Sequence, residues 1–233
     1  MRKISEIKTE NFGPQDSDPI TKFYAINPEL KEKYQIKKVK FALSNDQREE
    51  LLDLSNKTNP KHYLTIKTQL ETGMRVNELC NLAIDQVNFT ECILHVQTRN
   101  ATRYVKEFKT KTKSSNRIIP ITKELSRLLK SEIKKRATGY IFESQKKGKF
   151  SKTSLIRIVN HYAKLCKSIG KNIGSHTLRR TYASYLLSKG VKIGDISKIL
   201  GHASIKTTMI YLYDIVDLSS FDEVRKIVQG MNK

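Results

Sequence analysis

Four separated stretches of this chain carry side chains that together could act on a phosphodiester. The first is Glu71-Thr72-Gly73-Met74-Arg75-Val76-Asn77-Glu78-Leu79. An arginine just past a helix-ending glycine turn can reach from a loop into a cleft, and its guanidinium fork matches two phosphate oxygens. The second is His176-Thr177-Leu178-Arg179, preceded by the loop Ile173-Gly174-Ser175. Residues three apart share a helix face, so His176 and Arg179 are expected to point together from a helix N-terminus, where anions bind favourably. The third is Leu200-Gly201-His202, a helix stopped at a glycine, followed by Tyr211 on a short segment with Thr207, Thr208 and Ile210. A phenol is a poor nucleophile at its ordinary pKa of about 10 and needs cationic or basic neighbours. The fourth is a lysine-rich turn in which Lys109, Lys111 and Lys113 alternate. Such a turn suits a DNA backbone, and a lysine held in it could hand a proton to a leaving oxygen. Taken singly, each stretch is also what an ordinary helical domain carries: a capping histidine, a solvated arginine, a half-buried tyrosine, a basic loop.

These residues need a frame to bring them together. Ser44 and Gln47 form a capping box ahead of Leu51, Leu52 and Leu54. Asn59-Pro60 opens a second helix through Tyr63, Ile66 and Leu70, which Gly73 ends. A short helix runs through Val76, Leu79 and Leu82. Ile93–Val96, Tyr104-Val105 with Phe108, and Arg117–Pro120 read as strands, with Lys109–Asn116 as a hairpin turn before the last. Helices follow at about 122–136, 151–168, 176–189, 192–200, 204–212 and 217–229. The expected fold is mainly α with one small antiparallel β-sheet, an α+β class. Residues 1–43 lack periodicity and hold Gly13, Pro14, Pro19 and Pro28, so they read as an arm or linker before a domain over 44–233.

Composition narrows the partner. Lys and Arg total 44 against 23 Asp and Glu, a formal net charge of +21. Such an excess repels itself in the folded state and usually answers a polyanion. No apolar run approaches the ~20 residues that span a bilayer, and Met1 to Glu10 is polar, so nucleic acid is favoured over a membrane. Cys80, Cys92 and Cys166 form no C-x-x-C pair, which argues against a disulfide framework or structural zinc.

In order and spacing the four stretches resemble the tyrosine recombinase, or phage integrase, family, over about residues 44–229. T-G-M-R-V-N-E-L resembles that family's first arginine box, S-H-T-L-R-R-T-Y-A its H-x-x-R box, and L-G-H-A-S-I-K-T-T-M-I-Y its histidine-to-nucleophile box. The K-T-K-T-K turn before R-I-I-P-I lies where the family has its hairpin lysine. The resemblance implies a tyrosine recombinase catalytic-domain fold and a site-specific recombinase that cleaves and rejoins double-stranded DNA through a 3′-phosphotyrosyl bond, without metal, ATP or other cofactor. By the same resemblance Tyr211 is the nucleophile, Arg75 and Arg179 clamp the phosphate, and His176 and His202 hydrogen-bond it, with His176 as base. Lys111 is the general acid, with Lys109 and Lys113 open as alternatives two residues to either side. Glu78 supports the arginine box. Lys109, Lys113, Arg99, Arg103, Lys152, Arg157 and Lys206 are expected to touch DNA.

The apolar spacing of Leu218, Phe221, Val224 and Val228 in the 217–229 helix suits packing on its own domain. The family suggests instead docking into a neighbouring protomer within a tetramer on DNA. The location implied is the cytoplasm, with the nucleoid. Full-length recombinases carry a DNA-clamping domain ahead of the catalytic one, and about 43 residues precede Ser44 here. Rival readings are a type IB topoisomerase with the same chemistry, a regulator that has lost activity, and a nucleic-acid module whose boxes are accidental.

Overall fold

The computed structural model describes residues 42–110, 115–144, 148–205, 207 and 208. The arm up to 41, Lys111, Lys113, Lys206, Tyr211 and the 217–229 helix lie outside the described residues. Local capping chemistry sets the first two helices. Ser44 Oγ accepts from the Gln47 amide, and Gln47 Oε1 accepts from the Ser44 amide, which opens α1, Asn45–Thr58. Asn59 closes α1 and caps α2, Pro60–Thr72, by accepting from the amides of Lys61 and His62. Pro60 takes the first helical position, where no amide hydrogen is needed.

α2 stops at Gly73 for two reasons. Its φ is 58°, the left-handed region, and a β-carbon there would lie 2.5 Å from Tyr182 Cδ1 and 2.9 Å from Leu200 Cδ2. The chain then turns into the short α3, Val76–Cys80, and a 3-10 turn, Ile84–Gln86.

The sheet has three antiparallel strands in sequence order: β1, Val87–Asn88; β2, Ile93–Val96; and β3, Arg117–Pro120. Register pairs Val87 with Leu94, Leu94 with Ile119, and Val96 with Arg117. The strand expected at Tyr104–Phe108 does not form; only an isolated bridge joins Arg99 to Phe108. The Thr102 hydroxyl accepts from the amides of Tyr104 and Val105, a local turn that takes those donors away from a ladder.

Four helices complete the described fold: α4, Lys123–Ile133; α5, Lys152–Leu165; α6, Ser175–Ser188; and α7, Ile193–Leu200. α2 runs through the middle, packed on α1, α4, α5 and α6, so most of its residues, Lys67 included, are buried. Lys67 Nζ stays charged there by pairing with Glu71 at 2.7 Å and Glu124 at 3.4 Å. The main core gathers Leu51, Ile66, Leu79, Leu94, Ile119, Leu125 and Leu178; a second cluster of Tyr182, Ala183, Ile196 and Leu200 joins α6 to α7. The chain is thus mainly α with a small antiparallel sheet. Among the described residues no helix is long and apolar enough to cross a membrane.

Replacing Gly73 with alanine adds a strained φ and a methyl driven into Tyr182 and Leu200. Thermal or denaturant unfolding of Gly73→Ala should show a loss of about 2–4 kcal/mol, more than a surface Gly→Ala change gives.

Candidate active site

The end of α7 is the point where the separated motifs meet. A helix leaves its last carbonyls without intrahelical partners. Here the amides of Gly201 and His202 return to Lys198 and Ser197, with Gly201 left-handed at φ 66°. The next three carbonyls each take a different arginine. Arg117 Nε donates to Ile199 O, Arg179 Nη2 to Leu200 O, and Arg75 Nη2 to Gly201 O at 2.7 Å. The partial negative charge of a helix C-terminus favours cations there. Arg179 also donates to Gly73 O at 2.6 Å, so one buried guanidinium, 1% exposed, binds the ends of both α2 and α7.

Three guanidinium charges in one place would repel, and Glu78 sits between two of them. Its carboxylate accepts from the Arg75 amide and Arg75 Nη1, both at 2.8 Å, and from Arg117 Nη2 at 2.8 Å and Nη1 at 3.1 Å. Burial pushes the Glu78 carboxyl up, but the Arg117 hydrogen bonds and charge, with the Arg75 charge, outweigh it and hold it below the usual carboxylate value. His202 follows directly on the gripped turn. Its Nδ1 lies 2.8 Å from the Thr208 hydroxyl. Burial first, then the charges of Arg179, Arg75 and Arg117, depress its pKa to about 3, so the imidazole is neutral at physiological pH.

His176 stands exposed in the first turn of α6, one turn before Arg179; Gly174 is the N-cap. The buried Gln69 amide donates to Met74 O and Ser175 O, both at 3.4 Å, and so links the residue before Arg75 to the residue before His176. Arg75, Arg179 and His202 are therefore brought together, with His176 on the helix that carries Arg179. Tyr211 and Lys111 lie outside the described residues.

Of the side chains expected to touch DNA, Arg103, Lys109, Lys152 and Arg157 are exposed, Lys109 pairing with Glu107 at 3.3 Å. Arg99 is a correction. It is 8% exposed, and its Nη1 and Nη2 groups donate to Asn81 O, Gln86 Oε1 and Lys106 O, so the guanidinium faces into the fold. Arg117, Gln69 and Thr208 are given no site role by the sequence. Arg117 shows no local motif, but a charged residue in register with the core residue Val96 is a signal that it faces inward with a partner. Among the described residues no cluster of three His, Cys, Asp or Glu is placed to hold a metal ion. Burial pushes the Cys80 and Cys166 thiols up to about 11, which leaves them unreactive.

Comparison with known proteins matches the phage integrase family over residues 42–215. A tyrosine recombinase of Pseudothermotoga lettingae is 34% identical over 184 residues, covering 78% of this chain and 58% of the relative. Tyrosine recombinase XerA of Pyrococcus horikoshii is 30% identical over 174 residues, 73% of this chain and 55% of the relative. The chain thus spans somewhat more than half the length of these curated relatives. Among solved structures, a XerA recombinase superposes with a TM-score of 0.66 at 25% identity, covering 90% of this chain and 76% of that one. The Tn1549 transposon integrase in complex with transposon right end DNA shares the fold, with a TM-score of 0.67 at 22% identity over 84% of this chain and 67% of that one.

Two stability outcomes follow from the charge cluster. Arg117→Leu strands part of the buried Glu78 carboxylate and should cost about 3 kcal/mol in denaturant unfolding. The pH dependence has two windows. His202 has a folded pKa below its unfolded value of 6.5, so the unfolded chain binds the extra proton and stability falls as pH drops from about 6.5 toward about 3. Glu78, also depressed, contributes stability that is fully present above its unfolded value of 4.5 and lost as pH falls through its lower folded value. His202→Gln should flatten the melting-temperature profile in the first window and leave the acid-most loss in place.

Proposed function

Because the chain belongs to the phage integrase family, we propose that it is the catalytic part of a site-specific DNA recombinase that cuts and rejoins DNA through Tyr211. The observation that supports this most is the meeting of Arg75, Arg179 and His202, from three distant stretches, at the last carbonyls of α7. In this reading the Arg75 and Arg179 guanidinium groups hold the non-bridging oxygens of a DNA phosphate. His202 hydrogen-bonds the same phosphate. His176, exposed at the start of α6, takes the proton of Tyr211. The phenolate oxygen attacks phosphorus in line, a 3′-phosphotyrosyl bond forms, and the bond to the 5′ oxygen breaks. Lys111 gives that oxygen its proton, so a 5′-hydroxyl leaves. The 5′-hydroxyl of a partner strand then attacks the phosphotyrosine, giving its proton back to Lys111, the bond to Tyr211 breaks, and His176 returns the phenol proton. The covalent bond conserves the energy of the phosphodiester, which is why no ATP is required.

Transition-state charge gathers on the phosphate oxygens, and preorganised cationic donors stabilise it strongly in a closed site. Arg75 and Arg179 supply the charge stabilisation that a metal ion supplies elsewhere. Lys109, Lys113, Arg103, Lys152, Arg157 and Lys206 are proposed to contact the duplex backbone, which makes binding fall steeply with salt. The 217–229 helix is proposed to dock into a neighbouring copy in a tetramer on DNA. Such a protein works in the cytoplasm, on the nucleoid.

The test uses a pool of end-labelled nicked duplexes with randomised sequence around the nick, mixed with the full chain in EDTA. A covalent protein–DNA adduct that survives denaturing gels should form with the parent chain and vanish with Tyr211→Phe. Adduct persisting in Tyr211→Phe, or appearing only when a divalent metal is restored, would refute the assignment.

A further inference from the structure

The Thr208 hydroxyl behaves differently from five other helical threonines of this chain. Thr58, Thr65, Thr68, Thr72 and Thr181 each donate back to the carbonyl four residues earlier. Thr208 is fully buried, at 0% exposure, and its hydroxyl meets His202 Nδ1 at 2.8 Å. That is the one side-chain hydrogen bond of Thr208 among the described residues. The contact can be made in two ways. If Nδ1 carried the hydrogen, the Thr208 oxygen would accept it and its own O–H would be buried without an acceptor. A stranded buried donor is costly, whereas a hydroxyl that donates to a bare Nδ1 is satisfied.

We infer that Thr208 is a positioning residue whose hydroxyl donates to His202 Nδ1 and so holds the imidazole as the Nε2–H tautomer, a hydrogen-bond donor toward a phosphate oxygen. The neutral state of His202 among three arginines is consistent with this, because a protonated ring could not accept at Nδ1. The two histidines then have separate tasks. His202 gives a hydrogen bond to the phosphate and cannot serve as base through Nδ1, which leaves proton abstraction to His176. This division of labour rests on the recombinase reading; the tautomer itself does not.

The experiment is long-range proton–nitrogen NMR on the full chain labelled with ¹⁵N-histidine, with His202 assigned by His202→Gln. The parent chain should show Nε2 protonated and Nδ1 bare. Thr208→Val, which keeps the shape and removes the hydroxyl, should lose that preference, and Thr208→Ser should restore it. In the nicked-duplex assay Thr208→Val should form adduct about tenfold more slowly, a fraction of what losing a whole transition-state donor costs, with Thr208→Ser close to the parent. A parent spectrum with Nδ1 protonated overturns the inference even if Thr208→Val fails to fold. So does a Thr208→Val spectrum identical to that of the parent. An Nε2–H signal in a chain that never forms adduct leaves the tautomer standing and overturns its catalytic consequence, together with the recombinase reading.

Discussion

Three successive carbonyls at the end of one helix, each taking a hydrogen bond from a different arginine, hold the centre of this molecule together. Arg117 comes from β3, Arg179 from α6 and Arg75 from the turn between α2 and α3, and all three close on residues 199–201. Through Gly73 O, Arg179 adds the end of α2. Burying a guanidinium costs several kcal/mol unless its donors are matched. Matching comes from carbonyls that the helix itself cannot satisfy, and from the Glu78 carboxylate shared by Arg75 and Arg117. The result is a rigid cationic cluster in which His202 is the next residue of the chain.

This arrangement ties fold to function. Glycine is required at 73 because Tyr182 and Leu200, on α6 and α7, press against that turn. The same close approach lets Arg179 span two helix ends. Arg75 is kept at the cluster by Glu78 below it and Gly201 beside it, and Gln69 links the turn preceding it to the start of α6. A site that must hold a phosphate in one orientation needs donors whose positions are fixed before the phosphate arrives.

Much of this was legible in the residues, and the reason differs from case to case. Capping chemistry is local, so Ser44, Asn59-Pro60 and Gly73 marked their helix ends correctly. Arg75, Arg179 and His202 stand out in the sequence because their surrounding motifs are distinctive, and the fold brings them together at the end of α7. Side chains whose roles depend on distant partners do not stand out in this way. Nothing near Arg117 in the chain reveals that Glu78 and Ile199 await it, and nothing near Thr208 reveals that its hydroxyl turns to His202 and not to its own helix. Arg99 was misjudged for the same reason: a basic residue in a basic stretch looks solvated until Asn81 and Gln86 are seen to receive it. The apolar Tyr104, Val105 and Phe108 suggest a strand, but the Thr102 hydroxyl captures two of the amides a ladder would need.

The most direct measurement is a crystal structure of the full chain on a nicked duplex with vanadate bridging the nick. Arg75, Arg179 and His202 Nε2 should each contact a vanadate oxygen, Tyr211 Oη should occupy an apical position, and the arginine contacts to residues 199–201 should persist. A vanadate bound elsewhere, or guanidinium groups that must abandon the end of α7 to reach it, would contradict a preformed phosphate cradle at this point of the fold.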